Sequence, residues 1–107
     1  MTKEQYRQGD VFIIEAPDAR PSAAHKRAPS PGGRVVLAQG SATGHAHAIT
    51  SPGAVLMTAP DDDAILMLES DATLVHDEHD PIALPAGTFL VRIQRQWDGA
   101  ISRAVED

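Results

Sequence analysis

Apolar residues in this chain come in short runs, and almost every run is closed by glycine, proline, serine or aspartate. That punctuation restricts the fold more than any other feature. An amphipathic helix needs apolar positions spaced three and four apart over ten or more residues, with caps at its ends, and no segment here supplies that period. Short runs between turn residues are the pattern of strands. Val11–Glu15 reads as a first strand after Gly9-Asp10, and Arg34–Ala38 as a second. His45–Thr50 follows the turn Gly40–Gly44, and Ala54–Thr58 follows the tight turn Ser51-Pro52-Gly53. Ala64–Glu69 comes after Pro60–Asp63, Ala72–His76 leads into an acidic turn, and Pro81–Leu84 leads to Pro85-Ala86-Gly87. Thr88–Trp97 is the longest strand, and Ala100–Val105 is a last edge strand after Asp98-Gly99. The expectation is all-β: a small antiparallel barrel or jelly-roll-like sandwich of about eight or nine short strands.

The chain has 107 residues, the size of one domain. Between the first two strands, Pro17–Gly33 holds four prolines and two glycines. It reads as a long loop, at about 16–33, that acts as a flap. Only four residues are aromatic, so the core is expected to be mostly aliphatic. A net charge of −6 argues against general nucleic-acid binding, which requires basic surface to neutralise phosphates. There is no cysteine, hence no disulfide and no thiolate site. The polar start Met1–Gln5 leads into no signal-like apolar run, and no apolar stretch reaches membrane-spanning length. These features fit a soluble cytoplasmic domain, and they are compatible with a homodimer formed through sheet edges.

Four of the five histidines fall in two clusters, Gly44-His45-Ala46-His47 and His76-Asp77-Glu78-His79. Imidazole is the commonest metal ligand and titrates near neutrality. Alternate residues of a strand share a face, so His45 and His47 project together with Ile49. Two imidazoles on one face make a half-site for a divalent transition metal such as zinc, iron, manganese or nickel. Leu74 and His76 share a face, so His76 points inward if Leu74 does. His76 and His79, three apart, converge only if the chain bends between them. Glu78 is a candidate general acid or base, or a group that orients an imidazole.

The stretch Gly40–His47 resembles the start of the first cupin motif, a glycine followed by a His-x-His pair, and Leu84-Pro85-Ala86-Gly87-Thr88 resembles the Pro-x-Gly core of the second. The resemblance implies a jelly-roll barrel with His45 and His47 as metal ligands and a cavity lined by the strand after Gly87. The chain departs from the family pattern in three places. Ala48–Pro52 lacks the glutamate ligand, Leu90 stands where the second-motif histidine would fall, and His79 stands at that motif's leading glycine. His76 and His79 are the candidate replacements.

On the last long strand Phe89, Val91 and Ile93 share the core-facing side, extended by Arg95 and by Trp97 as a cap. Leu90, Arg92, Gln94 and Gln96 share the other side. That polar row is either a solvent face or a cavity wall, in which Arg92 and Gln94 would contact a substrate and Arg92 would hold an anionic group. Asp61-Asp62-Asp63 reads as a solvated turn. Three functions follow. The first is a metal-binding barrel acting on a small polar molecule, with His45, His47, His76 and His79 as ligands and Glu78 nearby. The second is metal-free acid/base catalysis by paired histidines, with Arg92 or Arg95 stabilising an anion. The third is an adaptor that binds a protein partner through its basic loop, Arg20 to Arg34.

Overall fold

The computed structural model describes residues 4–39, 46–60, 62–93, 95–98 and 101–104, with side chains for 4–38, 46–60 and 62–93. His45, Asp61 and Gln94, and the side chains of Arg95, Gln96 and Trp97, lie outside that description.

The described residues are all-β apart from one 3-10 turn at Pro31–Gly33. Twelve strands are present: β1 (Gln5–Gln8), β2 (Val11–Glu15), β3 (Lys26–Arg27), β4 (Arg34–Gln39), β5 (Ala46–Thr50), β6 (Ala54–Ala59), β7 (Asp62–Leu68), β8 (Ala72–His76), β9 (His79–Leu84), β10 (Gly87–Ile93), β11 (Arg95–Asp98) and β12 (Ile101–Ala104). One antiparallel sheet has the order β1-β2-β10-β7-β6-β3, a second the order β4-β5-β8-β9, and β11-β12 form a separate ribbon. No helix among the described residues is long and apolar enough to cross a membrane.

The two main sheets enclose one aliphatic core. Val11 and Ile13 from β2, Leu66 and Leu68 from β7, and Phe89 and Val91 from β10 face Val35, Ile49, Leu74 and Leu84 from the four-stranded sheet. Strict alternation places them: Phe89 and Val91 are 1% and 4% exposed, whereas Arg92 is exposed. Phe89 is the largest of the fully buried side chains among the described residues, and Tyr6 meets it edge-on at 6.3 Å. Replacing Phe89 with alanine is expected to cost about 3–5 kcal/mol by urea denaturation, because so small a core cannot refill the space. A loss under about 1 kcal/mol would mean that the packing described here is wrong.

Four details differ from the expectation. β1 is not among the expected strands, yet it pairs with β2 through a two-residue loop, Gly9-Asp10. Gly9 takes φ of 58°, a left-handed backbone that glycine adopts freely and that such hairpin loops require. The acidic turn is only Asp77-Glu78, because β9 already begins at His79. The expected strand Thr88–Trp97 divides into β10 and β11, and β11 leaves the sheet to pair with β12. The Pro-rich segment is tied down rather than a flap. Ala28 N–H donates to Leu56 O (2.8 Å), and the buried His25 bridges Ser22 and Asp63. Ser22 N–H donates to His25 Nδ1 (3.0 Å), so the ring proton sits on Nε2 and is donated to Asp63 O (3.1 Å).

The register gathers particular residues at one pole of the sandwich. Val11 lies opposite Ile93, Val91 opposite Ala64, Ala59 opposite Asp62, Ala38 opposite His47 and His76 opposite His79. The other pole holds the turns at Ser51–Gly53, Ser70-Asp71 and Pro85-Ala86.

Candidate functional site

His47 enters the pole from β5 and is 1% exposed; His76, at the end of β8, is 7% exposed. Asp77-Glu78 forms a two-residue hairpin loop, so His76 and His79 become directly opposed residues of β8 and β9. Opposed residues project to the same face, which is how a three-residue spacing brings two imidazoles together. The ring centres of His47 and His76 are 4.3 Å apart, those of His76 and His79 4.6 Å, and those of His47 and His79 5.7 Å. The sequence-predicted clusters therefore meet through His47, His76 and His79.

Two further residues complete the site, and neither was expected from the sequence. Gln8 ends β1 and is 2% exposed. Its Nε2 donates to Leu74 O (3.1 Å) and to Asp80 O (2.9 Å). Both amide protons are thereby committed, and Oε1 must face His47 Nδ1 at 2.9 Å as an acceptor. His47 consequently carries its proton on Nδ1. In the neutral ring Nε2 then bears a lone pair, and that atom lies 3.4 Å from Asp10 Oδ1. Asp10 is also buried, in the loop that Gly9 shapes.

His76 has the opposite tautomer. Glu78 N–H donates to its Nδ1 at 3.0 Å, so a neutral His76 presents N–H at Nε2. Glu78 thus orients an imidazole through its backbone, while its side chain is exposed. His79 Nε2 is buried and has no hydrogen-bond partner among the described residues. A buried ring nitrogen in that condition is uncommon, since burial without a partner costs about 1–3 kcal/mol.

Among the described residues, no group of three or more His, Asp or Glu side chains is already arranged to hold a metal ion. His47 Nε2 faces Asp10 Oδ1 at 3.4 Å, and the His79 ring centre lies 5.7 Å from that of His47. Leu90, at the cupin histidine position, alternates with core-facing Phe89 and Val91 and so belongs to the outer face of its sheet.

Arg92 sits on that outer face as well. It makes a two-point contact with Asp63, Nη2 to Oδ2 at 2.8 Å and Nε to Oδ1 at 3.3 Å. The carboxylate holds the guanidinium above its ordinary pKa, first through the hydrogen bond and then through charge. The Arg92 side chain is 58% exposed, so solvent screens the pair. Arg92→Ala is expected to change stability by less than about 1 kcal/mol in the same denaturation assay. A larger loss would show that the pair is structural.

A family model described as a domain of unknown function, DUF8820, matches residues 7–94. No curated protein and no solved structure matches the chain.

Proposed function

The chain belongs to the DUF8820 family, a domain of unknown function, and we propose from its site that it binds a divalent transition metal at the histidine pole. One observation carries the reading. His47 Nε2, whose ring proton is held on the opposite nitrogen by Gln8, faces the Asp10 carboxylate at 3.4 Å. Two lone-pair donors set against each other repel unless a proton or a cation lies between them. Tetrahedral donors about 2.0–2.1 Å from a zinc ion stand about 3.3–3.4 Å apart, the separation of this pair. The Gln8 contact is the outer hydrogen bond that metal-binding histidines use to fix their tautomer.

In this proposal His47 Nε2 and Asp10 Oδ1 are ligands, and His79 Nε2 is the third. His45, two residues before His47 in the sequence, is the candidate fourth. His76 is assigned a different role from the one its sequence suggested. Ligation through Nε2 would require it to lose a second proton, so it serves as a donor to an oxygen or nitrogen bound beside the metal. The cupin likeness enters as partial support, through His45 and His47. Imidazole with carboxylate suits zinc, iron, manganese and nickel. A bound ion of this kind supplies Lewis acidity or an acidified water.

The same His47–Asp10 contact supports a second reading. A proton could take the place of the metal, leaving His47 as an imidazolium clamped between Gln8 and Asp10 and His76 as a neutral donor. That would be a metal-free proton-bearing site. Elemental mass spectrometry on untagged protein, purified without chelator or nickel resin, separates the two. The metal reading expects close to one equivalent of a single transition metal, retained through gel filtration. Metal-free protein that takes up none of the four ions on dialysis would leave the proton reading in its place.

A further inference from the structure

Beside the histidine site a cleft of about 310 Å³ opens between the sheets. Leu37 of β4 forms one wall, and Leu56, Val91 and Ile93 form much of the other. Leu37, Leu56 and Val91 are core residues at the pole, so the floor is the exposed end of the hydrophobic core. Register fixes how near the cleft is to the site. Leu37 is the bulge residue next to Ala38, and Ala38 lies directly opposite His47. Ile93 lies opposite Val11, the neighbour of Asp10. Each cross-strand step is about 4.8 Å. The cleft and the site therefore share two strand pairs, β4–β5 and β2–β10.

The rim has a sign. Asp62, Asp63 and Arg92 line it. Arg92 is engaged by Asp63, which leaves the rim with the excess negative charge of Asp62. The chain as a whole carries −6. An anion would enter against this field, and a cation with it. The lining is mixed, with Leu37, Leu56 and Val91 set against Thr58, Asp62, Asp63 and Arg92, and the volume lies at the lower end of the range for small-molecule pockets.

We infer that this cleft is the substrate pocket of the histidine site, and that it takes a small molecule with an apolar body and an ammonium-type head. The inference rests on the reading of the site given above, which makes the pole a place where chemistry occurs. The apolar body lies on Leu37, Leu56 and Val91, and the cationic group points to the Asp62 side of the rim. The end nearest β5 is then presented to His47, His76 and His79.

The test uses the whole chain and three probes of one shape: benzylamine, benzyl alcohol and benzoate. Amide shifts of ¹⁵N-labelled protein report the cleft, and intermolecular NOEs to the imidazole C–H protons of His47, His76 and His79 report its contact with the site. The expected result is saturable shifts at Leu37, Leu56 and Val91, with benzylamine binding about two- to fivefold tighter than benzyl alcohol and benzoate weakest, the scale of one exposed charge contact. Asp62→Asn should bring benzylamine to the level of the alcohol, and NOEs should reach the imidazoles. Benzoate binding as tightly as benzylamine, an unmoved cleft, or NOEs that stop short of the histidines would each overturn the inference. None of these readouts requires a metal. A protein that binds benzylamine here but takes up no metal sinks the metal reading alone, and one that holds metal but ignores the probes sinks this inference alone.

Discussion

His47→Ala is expected to abolish stoichiometric metal binding while the chain stays folded. In the proposed site His47 brings the nitrogen that faces Asp10, while Gln8 holds a ring proton on the other nitrogen. Its removal leaves Asp10 and His79 without the donor that lies near both. Elemental analysis after dialysis against zinc should therefore read close to zero for the variant and close to one equivalent for the parent. The fold should weaken by about 1–3 kcal/mol, because Gln8 Oε1 loses its buried donor. His25→Ala is the control, since His25 bonds to Ser22 and Asp63 and touches none of the site residues described. It should retain the metal. Full metal content in His47→Ala would refute the assignment of this residue as a ligand, whatever the ion turned out to be.

Gln8→Leu should produce the larger stability loss. One side chain joins four strands here: it is carried by β1, donates to the carbonyls of Leu74 in β8 and Asp80 in β9, and accepts from His47 in β5. Leucine matches the volume but leaves two carbonyl oxygens and one ring N–H without partners. Each such group costs about 1–3 kcal/mol when buried, and water reaches the half-buried Asp80 contact, so a total of about 3–5 kcal/mol is expected. In a domain of this size that lowers Tm by about 15 °C or more. Metal affinity should fall as well, by about ten- to a hundredfold, the usual effect of removing the group that orients a ligating imidazole. Thermal melting with and without zinc checks both effects. A variant within about 1 kcal/mol of the parent would mean that the hydrogen bonds are replaced by water and that Gln8 does not organise the site.

These two residues show what a single sequence discloses. His47 was legible because strand alternation is local: His47 and Ile49, two apart on β5, share a face, and Ile49 is fully buried. The turn at Ser51-Pro52-Gly53 was legible for the same reason and closes with Ala54 N–H on Ser51 O. Phe89 and Val91 on the core face, against Arg92 outside, also follow from period-two alternation. Gln8 and Asp10 were not legible. Gln8 is buried by contacts that bridge 66 and 72 residues of sequence, Asp10 faces the distant His47, and a glutamine before a Gly-Asp turn reads as surface. β1 was missed because Gln5-Tyr6-Arg7-Gln8 has no apolar alternation; pairing with β2 makes it a strand. The only available signal was Gly9-Asp10 itself, which could have been read as a hairpin loop. Convergence of His76 and His79 was left conditional on a bend, and the two-residue loop Asp77-Glu78 supplies it.

The concentration of chemistry at one pole has a practical side for anyone handling the molecule. The far pole, with its turns at Ser51–Gly53, Ser70-Asp71 and Pro85-Ala86, contributes no residue to the site or the cleft. Exposed turns of small and polar residues accept inserted sequence with the least disturbance. Affinity tags, fluorophores or a surface linkage belong at the exposed Ser70-Asp71 and Pro85-Ala86 turns, so that the histidine pole faces the solution and stays open to whatever it binds.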